Sequence, residues 1–288
     1  MNRRTWIRAA SLALWAQLLV AVSVTAQEQS LLCSAADREQ TEKIITAFAD
    51  KSHAPTSELV AAIGKNFMGT PYQGQTLENG KEEKLVINLR EMDCTTFAEN
   101  CLALARTIRS GDAGFERFAH ELEKIRYRDG KRAGYLSRLH YFSDWIADNQ
   151  RKGLVSQPAA IFGANYPVKV FFMSTHPQSY PVLKENPELA PELAQLEKAI
   201  SKTTHFYVKK EDLPAVEDKL AEGDIIGLTT SIPGLDVTHV GILVKKDGKL
   251  HLLHASSSLK KVAISQEPLT ELMTKSKSWT GIMIARPL

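Results

Sequence analysis

Cys94, His239 and His254 are the residues of this 288-residue chain whose types and placement carry chemistry. Cys94 stands in Asp93-Cys94-Thr95-Thr96-Phe97-Ala98-Glu99-Asn100, where an extended segment from Leu85 to Met92 gives way to an amphipathic run, Thr95 to Ile108. Phe97, Leu102, Ala105 and Ile108 recur there at helical spacing, which puts Cys94 in the first turn of a helix. A helix start offers unpaired N–H groups and the positive end of the macrodipole, so the thiol is expected to lean towards thiolate. The same N–H groups suit the oxyanion of a tetrahedral intermediate. Such a thiol becomes a nucleophile once an imidazole is within reach.

The imidazole must come from elements far down the chain. Thr238 to Val244 reads as a strand and Leu250 to Ser256 as a second, joined by Lys245-Lys246-Asp247-Gly248-Lys249. Asp-Gly is the signature of a two-residue type I′ turn, so Lys246 pairs with Lys249, Gly241 with His254 and His239 with Ser256. His239 and His254 then share one face as diagonal neighbours, roughly 7–8 Å apart at the backbone and within reach of two rings. Gly241 leaves His254 room to lean, and His251 points to the other face. This geometry yields Cys94 as nucleophile, His239 as base and His254 as the group orienting the base. Each feature alone has a plainer explanation, a small buried hydrophobe for the cysteine and a satisfied packing residue for each histidine. Their conjunction favours a cysteine hydrolase or transferase. Zinc held by His239, His254 and Cys94 is the rival, although no further ligand is evident and His251-x-x-His254 on a strand splits its rings between faces. No cofactor is expected.

A family resemblance runs through the same residues. The order Gly69-Thr70-Pro71-Tyr72, Asp93-Cys94, Gly223-Asp224-Ile225-Ile226 and His239-Val240-Gly241-Ile242 resembles the NlpC-type papain-like cell-wall hydrolases. The resemblance implies that Asp-Cys opens the central helix, Gly-Asp leads into the sheet, His239 is the base, and His254 is the polar third member. The chain departs from that family's usual Asp-Cys-Ser-Gly-Phe with Asp-Cys-Thr-Thr-Phe. With the block Arg138-Leu139-His140-Tyr141-Phe142-Ser143-Asp144-Trp145, this is similar to a separate bacterial branch, N-acetylmuramoyl-L-alanine amidase-like. The likeness spans roughly Thr56 to Leu288, with Phe115 to Val208 outside the minimal core. It implies peptidoglycan or muropeptide fragments as partners, and cleavage of the amide between the lactyl group of muramic acid and L-alanine. A γ-D-glutamyl–diamino acid endopeptidase of the same fold and a non-catalytic peptidoglycan-binding relative are the alternatives.

Substrate contacts are expected from Tyr72, whose phenol could bond substrate or oxyanion, and from Asp93 and Thr95 beside the sulfur. Arg138, His140, Tyr141 and Trp145 combine aromatic faces with charged donors, a mix suited to a sugar ring and a peptide carboxylate. Alternatively Leu139, Phe142 and Ile146 are the buried stripe of a helix and the aromatics extend it.

Arg3, Arg4 and Arg8 precede an apolar segment, Ala9 to Ala26, ending in Val24-Thr25-Ala26. That reads as a signal peptide over 1–26, too short and wrongly flanked for a spanning helix, with an uncleaved anchor as the alternative and Sec and twin-arginine routes both open. The expected location is periplasmic or secreted. Removing three arginines from 36 basic against 33 acidic residues leaves the mature chain balanced, so neither nucleic acid nor, after cleavage, a membrane is an expected partner. Three cysteines are too few for a disulfide framework, and Cys94 and Cys101 lie about 10 Å apart along one helix. Cys101 reads as packing and Cys33 as inert or unordered.

The remainder, 27–288, reads as one papain-like domain with a helical insertion over about 115–208. Helices are expected over 35–52, 57–67 (capped by Thr56), 115–125, 136–149 and from Asn186 to about Thr203, with a strand or packed segment over 168–173. Strands follow over 205–209, 225–230, 237–245, 250–254, 262–265 and 282–286. Helices first and strands last point to α+β with an antiparallel sheet.

Overall fold

A computed structural model describes residues 31–288 apart from positions 79 and 81, so the segment read as a signal peptide lies outside the described residues. The chain begins with strand β1 (Leu31–Cys33) and helices α1 (Ala35–Ala47) and α2 (Thr56–Asn66). Strand β2 (Leu85–Ile87) and helices α3 (Cys94–Arg109), α4 (Phe115–Arg126) and α5 (Phe142–Arg151) follow. Then come β3 (Val155–Ser156), β4 (Ala164–Tyr166) and α6 (Leu189–Ile200). The last third holds β5 (His205–Lys209), β6 (Ile225–Thr230), β7 (Val237–Lys246), β8 (Lys249–Ser256), β9 (Lys261–Ile264) and β10 (Trp279–Pro287).

Among the described residues the main sheet has eight strands in the order β4-β5-β10-β6-β7-β8-β9, with β3 added on β10, and every pairing in it is antiparallel. The architecture is therefore α+β. The β7–β8 hairpin takes the expected register, from Lys246–Lys249 to Ile242–Leu253. Asp247 and Gly248 both have positive φ, 52° and 77°, as a type I′ turn requires. Both faces of this hairpin are covered. Ile242, Val244, Leu253 and Ala255 join the core built around α3, while Leu243, Leu250 and Leu252 pack with Ile226, Leu228, Ile282 and Ile284.

α3 is the axis of the first core, with Cys101 through Ala105 fully buried. Its start is fixed by a capping box in which Asp93 and Thr96 satisfy each other's backbone N–H groups. Glu99 and Arg126, both buried, tie α3 to α4 by an ion pair at 2.7 Å. The Gly223-Asp224 pair has a structural explanation. Gly223 sits at φ 86°, where a Cβ would come 1.9 Å from Ser57 O. Asp224, fully buried, accepts two hydrogen bonds from Arg286 at 2.7 and 2.8 Å and one from the Ala221 N–H at 2.8 Å, locking β6 to β10.

Several expected boundaries move. The helix read over 136–149 starts only at Phe142, because Gly134 (φ 78°) turns the chain and Arg138 to Tyr141 run extended. Tyr127 and Arg138 form a β-bridge, and Leu139 N–H bonds Arg126 O, so these residues pair with the end of α4 instead. Thr56 is the first residue of α2 rather than its cap, and its hydroxyl donates to Leu288 O at 2.8 Å. The first helix stops at Ala47, before a short 3₁₀ turn. Residues 168–173 form no strand; Val168, Val170 and Met173 pack with Tyr135, Tyr141, Leu183 and Leu193 in a satellite core. Cys33 lies in β1, paired in parallel with β2. The inserted region thus divides, since Phe115, Phe118, Leu122 and Ile125 belong to the core of α3. No helix of the described residues is long and apolar enough to cross a membrane.

Candidate active site

Cys94 is the first residue of α3, and its sulfur is set into the protein where β7 and β8 part company. The ladder between those strands ends at Ile242–Leu253. Beyond it the Val240 backbone hydrogen-bonds the sulfur, as do the Thr95 side chain and the backbone of Cys94 itself, and all three favour thiolate. They are outweighed. Burial, and after it the charge of Asp93, push the thiol up to about 11. The expected bias towards thiolate is therefore corrected to a resting thiol, because dehydration and a carboxylate one residue away exceed what a helix start supplies.

His239 and His254 share a face, as the turn predicts, and lie closer than backbone spacing alone gives. His239 Nε2 and His254 Nδ1 are 2.6 Å apart, with the rings edge to face at 4.8 Å between centroids and 88° between planes. Among the described residues His239 Nδ1 has no hydrogen-bond partner. Burial first, then the charge of His254, lowers His239 to about 3, and burial lowers His254 to about 4, so both rings are neutral near pH 7. His251, on the other face, donates from Nδ1 to Ser265 O at 2.9 Å. The facing nitrogens leave no room for an ion between them. Among the described residues no group of three His, Cys, Asp or Glu is arranged to hold a metal.

Cys94, Thr95 and His239 line one cavity of about 200 Å³ together with His140, Tyr141 and Trp145. Thr95 thus faces the cavity while its hydroxyl holds the sulfur. His140 is half-buried and pushed down to about 3, first by dehydration and then by the Arg138 charge, and its Nε2–H donates to Tyr135 O at 2.9 Å. Tyr141 donates to Glu197 at 2.7 Å and accepts from Met173 N–H at 3.0 Å. Trp145, 2% exposed, stacks on Phe142 at 5.5 Å, so it is core and cavity wall at once. Tyr72 is fixed by its N–H to Lys260 O at 2.9 Å and a bridge to Met92, and its phenol is near enough to feel the charges of Cys94 and Asp93.

Two expected substrate contacts lie elsewhere. The Asp93 carboxylate is turned into the helix cap, accepting from Thr96 N–H at 2.8 Å and the Thr96 hydroxyl at 2.9 Å. Arg138 is buried away from the cavity, donating to Glu78 at 3.0 Å and Glu83 at 3.1 Å, because two carboxylates claim a guanidinium that dehydration would otherwise penalise. Sequence reasoning missed Glu78, Met173, Tyr180 and Asp236, which also line the cavity. Asp236, 2% exposed and raised by burial, accepts the Ser143 N–H at 2.7 Å and so caps α5. A cap supplied from so far along the chain leaves no local signature; only its place just before Thr238-His239 pointed to it.

A family model for AmiA-like, N-acetylmuramoyl-L-alanine amidase-like proteins matches residues 62–282. A crystal structure of an N-acetylmuramoyl-L-alanine amidase from Bacteroides uniformis is 39% identical, with a TM-score of 0.77 over 81% of this chain and 98% of its own. A Bacteroides fragilis protein carrying the provisional name xylanase is 45% identical, with a TM-score of 0.73 over 78% and 99%. A Legionella pneumophila protein, 22% identical, has the same fold at a TM-score of 0.67 over 89% and 97%. No curated protein matches the sequence. The chain belongs to the AmiA-like family of N-acetylmuramoyl-L-alanine amidase-like proteins.

Proposed function

We propose that this protein is an exported, papain-like cysteine amidase that cleaves the amide between the lactyl group of muramic acid and L-alanine in muropeptides. The observation that carries it is a thiol and an imidazole on one cavity, the imidazole held by a second ring at 2.6 Å. Cys94 attacks the lactyl carbonyl as His239 Nδ1 takes the thiol proton. For Nδ1 to be bare, His239 carries its proton on Nε2 and donates it to His254 Nδ1, which places the proton of His254 on Nε2. The Cys94 N–H and the Tyr72 phenol serve the oxyanion. His239 then protonates the leaving amine and activates the water that releases the thioester. A cavity of about 200 Å³ is small beside ligand pockets of about 300–1,000 Å³, which favours soluble fragments over whole strands.

Two carboxylates in the cavity, Glu78 and Asp236, give a glycosidase reading something to stand on. Both are already engaged, Glu78 by Arg138 and Asp236 by the Ser143 and Val237 N–H groups, so neither is poised as acid or nucleophile. Export rests on Arg3, Arg4, Arg8 and the apolar run to Ala26, and N-terminal sequencing of the mature protein should begin at Gln27. Mass spectrometry of digested muropeptides tests the reaction. Free lactyl-sugar plus a peptide beginning at L-alanine is the expected result. Cleavage after D-glutamate, shortened glycans, or undiminished turnover by Cys94→Ala would overturn it.

A further inference from the structure

A second hollow, about 510 Å³, adjoins the imidazole pair and is lined by Leu228, Leu252, Trp279 and Ser256 to Ser258. His239 borders both this hollow and the first cavity, Cys94 borders the first alone, and His254 borders the second alone. The ring pair is thus a partition. The two sides differ in lining. The first cavity holds Glu78, paired with Arg138, and the buried Asp236, whereas the hollow presents serine hydroxyls, with Lys275 and Glu267 paired at 2.5 Å.

We infer that this hollow receives the departing stem peptide, and that the free α-carboxylate of its second residue accepts a hydrogen bond from His254 Nε2–H. The inference rests on the amidase reading. During acyl transfer the sugar half stays bonded to Cys94, hence in the first cavity, while the amine leaves past His239. A γ-linked glutamate in second place keeps its α-carboxylate free. At about 3.5 Å per extended residue, that group lies roughly 6–7 Å beyond the scissile nitrogen. The outer nitrogen of His254 lies across its ring from the 2.6 Å bond to His239, with ring centroids 4.8 Å apart, which is within that reach of an amine leaving past His239. Its Nδ1 is committed to His239, and among the described residues its Nε2 has no partner. An anion there stabilises positive charge on the ring pair, so the substrate itself strengthens a base that burial leaves weak.

The test uses the wild-type protein and soluble muropeptides of natural stem length that differ only at the second residue, α-carboxylate against α-carboxamide. The acid should be cleaved with kcat about 10-fold higher or more, as suits one charge-assisted hydrogen bond. Its acid limb of activity should also lie at higher pH than that of the amide. The free peptide beginning L-Ala-γ-D-Glu should inhibit competitively, and its amide more weakly. Equal kcat with superposed pH profiles, a preference for the amide, or no inhibition by either peptide overturns the inference while lactyl–alanine cleavage stands. If neither muropeptide loses its lactyl amide, the amidase reading fails and this inference with it.

Discussion

The two walls of the cavity are made in opposite ways. One carries Cys94 and His239 and comes from regular elements, a helix with its own capping box and a hairpin whose register two turn residues set. The other, Leu139 to Trp145, is extended chain and the first turn of α5, held by acidic side chains from distant segments. Asp236 caps its helix, Glu197 takes its tyrosine, and Glu78 and Glu83 hold Arg138, the residue just ahead of it. On the first wall the polar groups are spare to the fold and free for chemistry. On the second they are the fold.

Substitutions should therefore separate the walls by which measurement moves. Cys94→Ala should lower turnover of muropeptides at least about 10³-fold, some 4 kcal/mol at the transition state, while a thermal melt shifts by only a few degrees. Arg138→Met should do the reverse. Removing one member of a buried ionic cluster costs about 3 kcal/mol or more, which denaturant unfolding would read, with KM unchanged where the variant is folded. A tenfold rise in KM at unchanged stability would return Arg138 to the substrate and erase the distinction.

Legibility followed the same division. Asp247-Gly248 announced the hairpin, alternation put His239 and His254 on one face, and Phe97, Leu102 and Ile108 announced α3, because each signal is local and lies within a turn or two of what it specifies. Arg138 and Asp236 could not be assigned that way. Whether an arginine meets substrate or two carboxylates depends on where residues 78 and 83 travel, and periodicity is silent on that. The chemistry of Cys94 was half legible. Its donors follow from a helix start, but the dehydration that outweighs them is a property of the packed core.

His254→Ala should cost about 10²-fold in kcat, less than loss of the nucleophile, because the base remains while its orientation and the inferred contact to the substrate carboxylate are lost. The pH profile sharpens this point. His239 must be unprotonated to act as base and stands at about 3, so activity should rise through that range with increasing pH and lie flat to neutrality and beyond. Alkylation of resting Cys94 by iodoacetamide should be slow at pH 7 and climb towards pH 11, since only the thiolate reacts. Rapid neutral alkylation, or an acid limb near 6.5, would mean that sulfur and imidazole exchange their proton at rest.

Tyr72→Phe is the finest of these cuts. The loop carrying Tyr72 is fastened to the start of β9 and to the residues just before α3 through backbone groups, by Gly69 N–H to Val262 O, Tyr72 N–H to Lys260 O and Met92 N–H to Pro71 O, and its ring packs on the core. Removing the hydroxyl therefore leaves the loop in place. Its phenol is raised by burial and then by the charges of Cys94 and Asp93, so it stays a protonated donor at any working pH. One donor of two at an oxyanion, partly exposed to solvent, supports an effect of about 10-fold in kcat, near 1.4 kcal/mol, below the loss for a fully enclosed hole. KM should not change, because the bond strengthens only as the carbonyl oxygen gains charge. A Tyr72→Phe enzyme with normal kcat and raised KM would make the phenol a ground-state contact, leaving the oxyanion to the Cys94 N–H alone.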